Sequence, residues 1–105
     1  MARHFPDCIE HWLRARDAIS KPPSEGGALT EREKELVIVG MEIATRHKSI
    51  EHHTRKAMEA GATAREVAEV AGLCIMIEGM VTYVECGERA VLVAEAYEAE
   101  MKNRK

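Results

Sequence analysis

Aromatic residues are scarce in this chain, with one Phe, one Trp and two Tyr in 105 positions. A sheet sandwich draws on aromatic and β-branched side chains in alternating patterns, so the scarcity argues for an aliphatic core packed between helices. The net charge is only −3, and Lys and Arg are spread along the sequence with no basic patch between aromatics, so no nucleic-acid partner is expected. Residues 36–44 are nearly all apolar but too few to span a bilayer, and residues 1–7 lead into no apolar run of the secretory kind. No membrane partner is expected. The cysteines, Cys8, Cys74 and Cys86, are odd in number, widely spaced and in no metal-like pattern, which suits a reducing cytoplasm. Gly26-Gly27 runs into Ala28-Leu29, so there is no phosphate-cradling glycine loop, and a serine-nucleophile motif is also missing.

What is present is 46% hydrophobic residues, which suits one all-α domain over 1–105. The punctuation marks five helices. Pro6 opens the first, which carries Cys8, Ile9, Trp12 and Ile19 and fades at Ser20, before the break at Pro22-Pro23-Ser24-Glu25-Gly26-Gly27. Thr30 with Glu33 forms a capping-box pattern at the start of the second, and Thr63 with Glu66 repeats it at the fourth. Gly61 closes the third, the fourth runs to about Glu78, and a fifth continues from Gly79 toward Met101.

The third helix separates two adjacent histidines. At helical spacing His53 shares a stripe with Ser49, Ile50, Ala57 and Ala60, whereas His52 groups with Lys48, Lys56 and Glu59. His53 therefore points inward, where a titratable imidazole needs a partner. Two carboxylates also interrupt apolar stretches. Glu42 lies in a helix apolar on nearly every side and expected to be buried all round, and Glu78 shares a face with Val67, Ala71 and Cys74. Convergence of His53, Glu42 and Glu78 would give a pocket with a general acid and a general base. Plainer roles stay open: a core histidine, a Glu42 salt bridge to Arg46 or Arg55, a solvent-facing Glu78, and Ser49 as a simple N-cap. His47 and Glu51 sit four apart, as do Cys74 and Glu78, but neither pair extends to a ligand set, so no metal is expected.

The stretch "IEHHTRKAMEAGAT" followed by "REVAEV", with "LTEREKELV" upstream, resembles the carboxymuconolactone decarboxylase and alkylhydroperoxidase D-like family over roughly residues 5 to 100. The resemblance implies a helical bundle assembled as a trimer or hexamer, with its site on the histidine helix near subunit contacts. An all-apolar second helix in so small a chain supports a homo-oligomer independently. Redox members of the family carry Cys-x-x-Cys ahead of the histidine; here those slots hold Arg46 and Ser49. The decarboxylase branch also lacks that pair, although it tends to have an acidic residue where Ser49 stands.

The function so implied is a decarboxylase or lyase-type acid–base reaction, without cofactor, on a small carboxylated or lactone metabolite. His53 moves the proton, Glu42 or Glu78 tunes it, and Ser49 with Arg46 holds the anion. The alternatives are an alkylhydroperoxidase-like antioxidant protein relying on Cys74 or Cys86, and a non-catalytic binding or scaffold member of the family.

Overall fold

The computed structural model describes residues 3–104 and divides into two compact units, one reaching to Thr30 and the other beginning at Glu31. The first unit holds helix α1 (Pro6–Ile19) and a single 3₁₀ turn (Pro23–Glu25). Pro6 stands in the first turn of α1, where its missing N–H costs nothing, and Asp7 and Arg16 sit at the ends that the helix dipole favours for their charges. No residue of α1 is buried, and Ile9, Trp12, Leu13 and Ile19 present a continuous apolar stripe to the outside. The Arg16 guanidinium lies 5.4 Å from the centre of the Trp12 ring.

The second unit contains α2 (Glu31–Thr45), α3 (Ile50–Glu59), α4 (Ala64–Glu78), a short α5 (Met80–Thr82), a π-helical segment (Tyr83–Gly87) and α6 (Glu88–Asn103). No strand occurs among the described residues. Helix α2 packs on α3 and α4, and α6 packs on the same two helices. The core between them is aliphatic, built on Val39, Ile43, Ile50, Met58, Val67 and small residues such as Ala57, Ala71, Ala90 and Ala94. Alanines let helix axes approach closely, which is how a chain this short can form a dry core without aromatic bulk.

Several joints follow directly from the sequence. Thr63 and Glu66 form the full capping box, each side chain accepting a backbone N–H of the other residue. At the end of α3, Gly61 adopts φ +103°; its N–H donates to the Met58 carbonyl and that of Ala62 to the Ala57 carbonyl, a Schellman turn. The expected fifth helix is interrupted by the π segment. Buried Gly87 lies there, and a Cβ added to it would stand 3.1 Å from the Tyr83 ring and 3.4 Å from the Ala71 side chain, so the absence of a side chain permits this approach.

One expectation is corrected. Helix α2 is not buried all round within the chain: its buried stripe is Glu35, Val39, Glu42 and Ile43, while Val37 and Met41 are more than half exposed. The second unit simply has no element on that side. Val37 and Met41 join Leu73, Met76, Ile77, Met80, Val81 and Val84 as exposed apolar side chains of this unit.

Candidate functional site

His53 projects from the middle of α3 toward α2, its side chain 27% exposed. Its Nδ1 lies 3.2 Å from Glu35 Oε2, and its Nε2 lies 3.8 Å from Glu42 Oε2. Both carboxylates are buried. Glu35 and Glu42 are seven residues apart on α2, two turns along one face, so they reach the ring from its two ends. The geometry assigns distinct work to the nitrogens. Glu35 accepts the Nδ1 proton and fixes the tautomer, which leaves the Nε2 lone pair toward Glu42. At 3.8 Å the second contact is too long for a hydrogen bond but short enough for the carboxylate to stabilise a proton arriving at Nε2.

Glu42 holds a second feature. Its Oε1 is buried and has no hydrogen-bond partner among the described residues. The expected salt bridges to Arg46 or Arg55 do not form, because Arg46 pairs with Glu85 at 2.8 Å and Arg55 with Glu100 at 3.3 Å. Instead Glu42 Oε2 stands 3.4 Å from His47 Nδ1.

His47 comes back over Glu42 because of how α2 ends. The His47 N–H donates to the Glu42 carbonyl and the Arg46 N–H to the Ile43 carbonyl, the same Schellman turn that ends α3. Here the left-handed position is filled by Arg46, at φ 54°, and not by glycine, at a cost of about 1–2 kcal/mol. Ser49 follows at the N-cap of α3, yet its side chain caps nothing. Its Oγ lies 2.8 Å from His47 Nδ1, and its own N–H donates to that nitrogen at 3.1 Å.

The sequence-derived set is thus brought together only in part. His53 and Glu42 meet, and Ser49 reaches them through His47. Arg46 is half-exposed with its guanidinium on Glu85. Glu78 does not converge with them: it is exposed and lines an apolar groove of about 370 Å³ with Leu36, Val37, Leu73 and Ile77. The helical face shared with Val67 and Cys74 runs out at the end of α4, where Glu78 is the last residue before Gly79. Glu35 and His47 take the open places. The signal for Glu35 lay in its spacing, four residues before Val39 and seven before Glu42.

The thiols stand apart from this chemistry. All three cysteines are free, and Cys74 and Cys86 are buried. The Cys74 thiol donates to the Gly40 carbonyl at 3.3 Å, and burial, with smaller contributions from Cys86 and Glu78, pushes its pKa above the ordinary 9.0. Cys86 Sγ lies 3.8 Å from the Glu42 carbonyl and 3.9 Å from that of His47, beneath the turn that shapes the site. No group of three or more His, Cys, Asp or Glu side chains suited to a metal ion occurs among the described residues. Among the same residues, no helix is long and apolar enough to cross a membrane.

Comparison with known proteins bears on the family and the fold. The model of the carboxymuconolactone decarboxylase family matches residues 6–84. A crystal structure from Burkholderia xenovorans LB400, of a protein provisionally named a carboxymuconolactone decarboxylase, superposes with a TM-score of 0.87 at 28% sequence identity, over 99% of this chain and 79% of that one. No curated protein sequence matches.

Proposed function

The chain belongs to the carboxymuconolactone decarboxylase family, and from that premise we propose that it is a decarboxylase or lyase-type acid–base enzyme, working without a cofactor on a small carboxylated or lactone metabolite. The observation that carries this reading is the imidazole of His53 held between two buried carboxylates, Glu35 at Nδ1 and Glu42 near Nε2. In the neutral ring the Nδ1 proton is committed to Glu35, so Nε2 is the base. Once Nε2 takes a proton from carbon or from water, the Glu42 carboxylate faces a full positive charge and stabilises it. This interaction is stronger after proton transfer than before it, which is the condition for lowering a barrier. The imidazolium then serves as the acid that returns the proton to the product.

The two carboxylates also constrain the substrate. An anionic group placed against them is repelled, so a carboxylated substrate is oriented with its reacting carbon toward Nε2 and its carboxylate toward the turn bearing Arg46, Lys48 and Ser49. Arg46 engages it by exchanging Glu85, an exposed partner that water readily replaces. Assembly into a trimer or hexamer belongs to the same reading, supported by the apolar side chains that α2, α4 and α5 leave outside. Three free cysteines suit a cytoplasmic setting.

The experiment is a panel of small lactones and β- or γ-keto acids, followed by carbon dioxide release and ultraviolet absorbance, on the unmodified chain and on His53→Gln. Turnover by the former and its loss in a folded His53→Gln is the expected outcome. Turnover that survives the substitution removes His53 from the chemistry, and no turnover of any compound by either chain favours the non-catalytic alternative.

A further inference from the structure

His47 Nδ1 has two claims on it that cannot both be met. It accepts the Ser49 N–H at 3.1 Å with Ser49 Oγ at 2.8 Å, and it also stands 3.4 Å from Glu42 Oε2. A ring nitrogen carries either one lone pair or one hydrogen. With a lone pair it holds Ser49 at the start of α3 and offers the carboxylate nothing, lone pair facing lone pair. With a hydrogen it gives up the Ser49 N–H and donates to Ser49 Oγ at 2.8 Å, and once the ring is fully protonated its charge faces Glu42 Oε2 3.4 Å away as an ion pair. The same oxygen is the nearest Glu42 atom to His53 Nε2.

We propose that His47 is a positioning residue whose proton decides whether Glu42 serves His53 or is drawn toward His47. The inference rests on the acid–base reading of His53 and Glu42, and adds to it a dependence on a third side chain that touches neither the ring nor its other partner Glu35.

The surroundings leave this exchange to few groups. Against His47 stand Glu42 from α2, Ser49 at the head of α3, and the Cys86 thiol of the π segment, which points at the His47 carbonyl; its chain neighbours are Arg46, held by Glu85, and Lys48. Against His53 stand Glu35, Glu42 and the exposed His52 ring, 5.0 Å away edge to face. Glu42 is the only carboxylate that meets both imidazoles among the described residues. Its Oε1 has no hydrogen-bond partner among the described residues, so the polar contacts that orient the carboxylate are those of Oε2 with the two imidazoles.

The test is imidazole ¹⁵N–¹H correlation spectroscopy of the full chain between about pH 5 and 8. His53 is expected to respond in two steps, one of them coincident with His47, as two groups sharing one carboxylate do. At high pH His47 carries its proton on Nε2 only. His47→Asn keeps the Ser49 N–H satisfied, since an asparagine oxygen accepts from the residue two positions on, but cannot titrate. His53 then moves in one step. Glu42→Gln uncouples the two histidines with both still present. A one-step His53 response in the unmodified chain, or a two-step response that survives His47→Asn, overturns the proposal. Because the spectra need no substrate, this result is separate from the turnover experiment: coupling without turnover sinks only the enzymatic reading, and turnover without coupling sinks only this one.

Discussion

Glu35 Oε2 and His53 Nδ1 are 3.2 Å apart, a contact that joins α2 to α3 across eighteen residues of sequence. Only one proton can lie between them, and its presence there sets which face of the imidazole is reactive.

Truncating Glu35 to Ala leaves that Nδ1–H in a half-buried place without its acceptor. The expected cost is about 1–3 kcal/mol in urea unfolding. Where turnover can be measured it falls by roughly 10²–10⁴-fold, the usual worth of a positioned acid–base group. Glu35→Gln keeps an acceptor oxygen, so most of the stability returns with less of the activity. Equal activity in Glu35→Ala and the unmodified chain would detach Glu35 from the site.

Glu42 should behave in the opposite way. A buried carboxylate with one oxygen unpartnered is costly to the fold, so Glu42→Gln is expected to leave stability unchanged or to raise it by about 1–2 kcal/mol. It also removes the negative charge 3.8 Å from Nε2, so turnover that depends on stabilising a protonated His53 should fall. Thermal melts and turnover check the two halves independently.

Cys74 gives a pH signature. Its folded pKa lies above the ordinary 9.0, so the folded chain keeps the proton that the unfolded chain has begun to lose. The stabilisation is complete below pH 9.0 and is lost as pH rises through the folded value. Melting temperature should fall on the alkaline side, and Cys74→Ser, which keeps a donor for the Gly40 carbonyl, should flatten that slope. The same protonated thiol is a poor nucleophile, so dithiol-dependent hydroperoxide turnover is not expected.

Light scattering should return a mass of several protomers. Val37→Asp, at a position 52% exposed in the single chain, should dissociate the assembly without unfolding it. A stable monomer of the unmodified chain at micromolar concentration would contradict the oligomeric reading.

Much of this was legible locally. The Thr63–Glu66 box, Gly61 and the inward turn of His53 each depend on a few adjacent residues, and each is found where the spacing put it. Glu35 was hidden by its company, since a glutamate in the charged first turns of a helix reads as a solvated residue until the partner helix is seen to cover it. His47 was hidden for another reason. Its return over Glu42 requires a left-handed Arg46, a conformation for which the sequence offers no glycine. The π segment has no local signature either, and follows from the close fit of Gly87 against Tyr83 and Ala71. Glu78 was misplaced because a helical wheel extends a face indefinitely, whereas α4 stops.

The chain's single indole has a practical effect on all of these measurements. Trp12 is 60% exposed on α1, outside the second unit and its core. Its emission starts close to that of a solvated tryptophan, so chemical unfolding of the histidine site passes almost unseen in fluorescence, and melts have to be read from helical ellipticity. What the indole does report is cover. A blue shift with rising protein concentration would mark the moment at which something closes over α1, a spectroscopic signal already built into the chain and needing no label.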